Sequence, residues 1–196
     1  MEKKIIAAFD FDGTITCRDT LIEFIKYAVG NFCFYKGLVL YSPLLLAYKL
    51  QLFPNWKMKQ LLFSHYFQGA SLEQFNMVCR GFYREKGEGL LRKEACEAVK
   101  RHIVDGDVVI IVSASIENWL IPFGEYLEVN FVLGTKIEVS ESGHLTGRFL
   151  TSNCYGKEKV SRINQLYPHR DEYYLVAYGD SRGDKELLSF ADEAYY

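Results

Sequence analysis

Apolar residues fall along this chain in two rhythms. Three of the uninterrupted runs have a strand's composition: 5–9 (IIAAF), 108–112 (VVIIV) and 173–178 (YYLVAY). Short unbroken runs rich in β-branched and aromatic residues suit strands of a parallel sheet covered on both faces. Elsewhere apolar positions recur every three or four residues, the helical spacing. Leu21, Ile22, Phe24, Ile25 and Ala28 form one such face, with Asp19 or Thr20 as the N-cap. The segment GLVLYSPLLLAYKLQLF is punctuated by Pro43 and Pro54, and WKMKQLLFSHYF follows with helical spacing. SLEQFNMVCRGFYREKG opens with Ser71 and Gln74 at capping-box separation, and LLRKEACEAVKRHIVDG is an amphipathic helix stopped by Gly106. FVLGTKIEV and SESGHLTGRFL predict a further strand and a hairpin. GKEKVSRINQLY and DKELLSFA predict helices, and EAYY a last strand.

Strands alternating with helices around buried apolar runs predict an α/β fold, a Rossmann-like parallel sheet flanked by helices. Residues 18–88 break that alternation, being helical and aromatic, and are expected to form a helical insertion after the first strand. The expected division is a core of residues 1–17 and 89–196 and an inserted unit of 18–88. A length of 196 residues and a 49% hydrophobic share allow a real core. The net charge of −2 gives no polybasic footprint, which argues against nucleic acid as a partner. Five widely spaced cysteines without a CxxC pair argue against a disulfide framework or zinc site and fit a reducing cytoplasm. The opening MEKKIIAAFDFDG is too short in apolar residues and too acidic for a signal peptide.

Candidate chemistry gathers where the predicted strands end. The first runs into Asp10 and Asp12, separated by Phe11, so that in an extended backbone both carboxylates leave the same side. The second ends at Ser113, the third at Asp180, with Asp184 four residues on. Ligands of open parallel sheets bind outside the carboxyl ends of the strands. Asp10, Asp12, Asp180 and Asp184 are therefore expected to face one point. Such a set calls for a hard cation with oxygen ligands, most simply Mg²⁺. A phosphate beside it needs a hydroxyl, backbone N–H groups and a cation. Ser113, the turn after Asp10 and the pair Lys157 and Lys159 supply these. A carboxylate attacking phosphorus gives an aspartyl-phosphate, and a second carboxylate can move the proton.

DFDGT (10–14), VVIIVSAS with Ser113, GKEKV with Lys159 and YGDSRGDKELL with Asp180 and Asp184 resemble, in order and spacing, the four motifs of the haloacid dehalogenase (HAD) superfamily. The helical insertion resembles a C1-type cap, and the motifs are similar to those of the phosphoserine phosphatase-like subfamily IB. The resemblance implies Asp10 as nucleophile and metal ligand, and Asp12 as general acid/base with its main-chain carbonyl on the metal. It implies that Asp180 and Asp184 hold Mg²⁺. Ser113, Ala114, Gly13, Thr14 and Lys159 would hold the phosphoryl group. The preference for Lys159 over Lys157 rests on the resemblance; spacing leaves it open. Ala114 stands where the phosphoserine enzymes tend to have Gly, and Asp19 where they carry a substrate-binding Glu.

The function expected is thus a Mg²⁺-dependent phosphomonoester hydrolase acting on a small phosphorylated metabolite, in the cytoplasm, as monomer or dimer. Two alternatives stand beside it. One is a non-catalytic HAD-fold module that binds a phosphorylated ligand. The other is a phospholipid phosphate phosphatase, since phosphatidylglycerophosphatase C-like relatives act on a lipid phosphate. The apolar stretch 37–48 is too short to span a bilayer, which needs ~20 residues. A buried cap helix is the expectation there, with peripheral contact to lipid as the other reading.

Overall fold

The computed structural model describes residues 3–196, so Met1 and Glu2 of the expected core lie outside the described residues. Five strands form one wholly parallel sheet: β1 (Lys4–Phe9), β2 (Val108–Ile116), β3 (Phe131–Thr135), β6 (Tyr173–Tyr178) and β7 (Glu193–Tyr195), in the order β3-β2-β1-β6-β7. The hairpin is β4 (Ile137–Val139) and β5 (Leu145–Phe149), antiparallel and separate from the sheet. Alternate residues of β1 feed two cores. Ile6 and Ala8 join Ile163, Leu175 and Leu187 on one face, while Ala7 and Phe9 join the larger aromatic cluster on the other.

Between β1 and β2 lie the helices α1 (Thr20–Leu40), α2 (Ser42–Lys49), α3 (Asn55–Phe67), α4 (Leu72–Phe82), the short α5 (Glu88–Leu90) and α6 (Lys93–Val104). Asp19 is the N-cap of α1, accepting from the Leu21 N–H, and the Ser71 hydroxyl accepts from the Gln74 N–H at the start of α4. Gly106, with φ +81°, turns the chain out of α6 as expected. A π-helical turn, Tyr83–Gly87, joins α4 to α5. The helix α1 is bent at Gly30, whose φ of 78° and ψ of 158° are non-helical.

The inserted helices share one hydrophobic cluster with the sheet. Phe24 of α1 is its centre: the ring stacks on Trp119 at 4.7 Å and meets Phe67, Phe75 and Phe82 at 5.4–5.6 Å. Trp119 belongs to α7 (Glu117–Tyr126), the helix that follows β2. The hairpin binds the insertion as well. The Gly69 N–H donates to the Leu145 carbonyl, the Leu72 N–H to the Gly143 carbonyl, and the Phe149 N–H to the Gln60 side chain.

One expectation is corrected. Strand β2 does not end at Ser113 but continues through Ala114 and Ser115 to Ile116, with its pairing to β3 shifted between Val112 and Ile116. Small polar residues interrupt the apolar run without interrupting the extended backbone. The same extension places Ser113 and Ser115, both buried, on one side of the strand.

Replacing Phe24 by Ala removes the ring on which four others converge and should destabilise the protein by about 3–5 kcal/mol. The same change at the solvent-exposed Phe32 should cost no more than about 0.5 kcal/mol. Equilibrium urea unfolding of the two variants measures the contrast.

Candidate active site

The sheet reverses its direction of growth at β1, with β2 and β3 to one side and β6 and β7 to the other. A crevice outside the strand ends is expected at such a switch point. Asp10 leaves β1 there, its N–H donating to the Tyr178 carbonyl of β6 at 2.8 Å. Asp180 follows β6 by two residues. The helix α8 (Lys157–Leu166) begins beside it, and the turn before α9 (Lys185–Phe190) carries Asp184.

Lys159 links these pieces. Its ammonium donates to Asp10 Oδ1 and to Asp184 Oδ1, each at 2.5 Å, with all three side chains buried. The Gly156 N–H donates to the Gly183 carbonyl at 2.9 Å and draws the first turn of α8 against the Asp184 turn. The second oxygen of Asp184 accepts from the Ser181 N–H at 3.0 Å and the Ser181 hydroxyl at 2.6 Å, a capping box. Thr14 donates weakly to Asp10 and Asp180, at 3.5 and 3.4 Å. Lys157, left open by spacing, is exposed, whereas Lys159 is buried.

Two glycines make room for the carboxylates. A Cβ at Gly13, where φ is +90°, would collide with the Asp180 carboxylate, and one at Gly179 would collide with the Asp184 side chain. Carboxylate oxygens of Asp10, Asp180 and Asp184 lie within 4.8 Å of one another. Their donors are oxygen only and their charge exceeds that of the single lysine, the character a hard divalent cation requires.

The fourth aspartate stands apart, and the expectation that all four carboxylates face one point is corrected. The chain leaves the strand at Asp10 and enters a turn, closed by the Thr16 N–H donating to the Phe11 carbonyl at 2.9 Å. The period-two alternation is lost, and Asp12 turns to other partners. One oxygen accepts from the Thr20 N–H at 2.7 Å and the Thr20 hydroxyl at 2.6 Å. The other accepts from the Ser115 hydroxyl at 2.5 Å. Among the described residues the carboxylate group holds Asp10, Asp180 and Asp184 without the Asp12 side chain.

Thr20 and Ser115 are site residues that sequence reasoning did not assign. The sequence offers Thr20 as an N-cap candidate, and Ser115 is 103 positions from its partner, with no local signal to mark it. Ser113 accepts from the Ser115 N–H at 3.1 Å, and the Ala114 carbonyl accepts from Thr135 at 3.1 Å. Beside Ser115 is a narrow cavity. Leu21 and Lys59 from the inserted helices, Trp119 from α7 and Phe149 from the hairpin close it.

Electrostatically the centre is short of positive charge. Burial pushes the Asp10 carboxyl up to about 6; Lys159 opposes the shift, and Asp184 adds to it. For Lys159 burial acts to lower the pKa, but the two carboxylates outweigh it and the ammonium is held above its ordinary value.

A sequence model of the haloacid dehalogenase-like hydrolases matches residues 7–189. Protein CicA of Caulobacter vibrioides is 32% identical over 192 residues, covering 98% of this chain and 85% of that one. Among solved structures, a Bordetella pertussis protein of unknown function superposes with a TM-score of 0.85 at 19% identity, over 98% of this chain and 89% of that one. A phospho-aspartyl intermediate analogue of phosphoserine phosphatase superposes with a TM-score of 0.62 at 20% identity, over 98% and 86%. The two structural likenesses establish the shared fold.

The raised Asp10 pKa fixes a sign. In a metal-free protein the stability it contributes is complete below its unfolded value of 3.8 and is lost as the pH rises through about 6. In chelator, the wild type should fall relative to the Asp10→Asn variant across that interval by on the order of 3 kcal/mol. Urea unfolding at a series of pH values reads this. A stability difference independent of pH between 4 and 7 would contradict the assigned environment.

Proposed function

The chain belongs to the haloacid dehalogenase-like hydrolases, and on that premise we propose that it hydrolyses phosphomonoesters through an aspartyl-phosphate on Asp10. The observation that carries this reading is the Asp10–Lys159–Asp184 triad at the strand switch point, completed by Asp180. Asp10 is the nucleophile. Its free oxygen attacks phosphorus as the ester P–O bond breaks, and Asp12 gives its proton to the departing oxygen. Asp12 then takes a proton from water, which attacks the aspartyl-phosphate at phosphorus. Asp10 is regenerated and inorganic phosphate leaves.

Lys159 offsets the negative charge gathered by Asp10 and the phosphoryl group. Ser113, Thr14 and the main chain at Gly13 and Ala114 hold the phosphoryl oxygens. Asp10, Asp180 and Asp184, with the Asp12 carbonyl, would hold Mg²⁺, which when bound supplies the positive charge that one lysine lacks against a phosphate dianion. Thr20 and Ser115 are positioning residues: their three hydrogen bonds aim the Asp12 carboxylate. The hydroxyl beside whichever Asp12 oxygen carries the proton can turn to accept it.

A small phosphorylated metabolite is the substrate class this reading favours, in a site walled by the inserted helices, α7 and the hairpin, where Lys59 of α3 lines the small cavity beside Ser115. A lipid phosphate is the second reading, favoured by large apolar residues left uncovered on α1 and α2. A phosphate-release screen with Mg²⁺ that includes phosphoserine, sugar phosphates, nucleotides and phosphatidylglycerophosphate separates the two. No release from any of them, or from p-nitrophenyl phosphate, would favour a phospho-ligand-binding module instead.

Replacing Asp10 by Asn should abolish p-nitrophenyl phosphate hydrolysis in Mg²⁺ while leaving the circular dichroism spectrum unchanged. A variant that kept most of its activity would exclude the mechanism. Ser115→Ala should lower kcat by about 10-fold or more with little change in KM, because the proton donor is misaimed rather than the phosphate unbound. It should also displace the pH profile of kcat, which a merely structural role would not.

A further inference from the structure

The inserted helices have two unlike ends. Near the sheet α1 is locked by Phe24 against Trp119. Beyond the bend at Gly30 the chain carries apolar side chains outward. Phe32 is 82% exposed, Val39 75% and Leu52 77%, and Leu40, Leu46, Leu50 and Trp56 are exposed as well. Phe32, Lys36 and Val39 share one face of α1 by helical spacing. In α2, whose sequence is SPLLLAYK, no residue is buried. Uncovered apolar surface gathered in one place marks an interaction site.

Charge distinguishes among the partners. From residue 24 to residue 72 the sequence contains no Asp or Glu and five lysines: Lys26, Lys36, Lys49, Lys57 and Lys59. This stretch carries +5 in a chain whose total is −2, which leaves −7 for the remainder. A second copy docked through the same face would bring the same lysines and, from this stretch, no carboxylate to pair with them. Nucleic acid would satisfy the lysines but leave the leucines and phenylalanine unpaired. An anionic lipid surface meets both requirements, with lysine heads in the phosphate layer and apolar side chains below it. Among the described residues no single helix is long and apolar enough to cross a membrane. The α1–α2 pair passes that test only together and is bent by 68°. The arrangement suits a wedge lying in the interface rather than a span.

We propose that the tip formed by α1 beyond Gly30, α2 and the start of α3 docks the protein on anionic bilayers. This docking stands independently of the phosphatase reading, because binding is measured without turnover.

The test is flotation of the full chain with vesicles of phosphatidylcholine alone and of an equimolar phosphatidylcholine–phosphatidylglycerol mixture. The wild type should float with the anionic vesicles, less as salt is raised, and about 10-fold less with the neutral ones. A Leu46→Glu/Leu50→Glu variant and a Lys36→Ala/Lys49→Ala/Lys57→Ala variant should each lose binding by about 10-fold or more. Both should keep the wild-type circular dichroism spectrum and p-nitrophenyl phosphate hydrolysis. Absence of wild-type flotation overturns the proposal, as does flotation indifferent to lipid charge and to both variants. So does a wild-type dimer in sedimentation that the leucine substitutions dissociate, since a second copy would then be the occupant. A protein that floats but hydrolyses nothing would sustain the docking surface and sink the phosphatase reading.

Discussion

One buried ammonium stands among three carboxylates, and much of the chain is arranged around that imbalance. Charges taken out of water cost several kcal/mol each unless paired and hydrogen-bonded. Lys159 pairs with two aspartates at once, and Ser181 satisfies the remaining oxygen of Asp184. The parallel order of the sheet brings the ends of β1 and β6 together. Gly13 and Gly179 let two carboxylates approach where any side chain would exclude them. Burial is what raises Asp10 to about 6; Lys159 opposes the shift and Asp184 adds to it. The residual demand for positive charge makes the site fit a divalent cation and a phosphoryl group together.

The fold was legible where local physics and tertiary context agree. The runs at 5–9, 108–112 and 173–178 became β1, β2 and β6 because a parallel sheet covered on both faces asks for unbroken apolar sequence. Asp19, Ser71 and Gly106 end or begin helices for reasons held within a few residues. The candidate site was legible in its members but less so in its geometry. Asp12 belonged to an extended backbone only if the strand continued, and the turn that begins after Asp10 redirected it to Thr20 and Ser115. Ser115 had no mark in the sequence, since its significance lies in a contact spanning 103 positions. Lys157 and Lys159 differ by two places on one helix, and burial separates them.

The insertion is built from one composition used in two ways. Its aromatic residues close to the sheet, Phe24, Phe63, Phe67, Phe75 and Phe82, fuse with the core through Trp119 and the hairpin. Equally apolar residues past Gly30, among them Phe32, Val39, Leu40, Leu46 and Leu52, are left exposed. Periodicity cannot tell these apart, because a helix face reads the same whether protein or another surface covers it. The helix α3 belongs to both parts, lending Lys59 to the cavity and Trp56 to the exposed end.

The central claim is a covalent bond between Asp10 and phosphorus. Borohydride added during steady turnover reduces an acyl phosphate to the alcohol, and peptide mass spectrometry locates the residue reduced. The account predicts conversion of Asp10 to homoserine that requires both substrate and Mg²⁺. Steady turnover with Asp10 unmodified, or with the reduction found at Asp12, Asp180 or Asp184 instead, would contradict it.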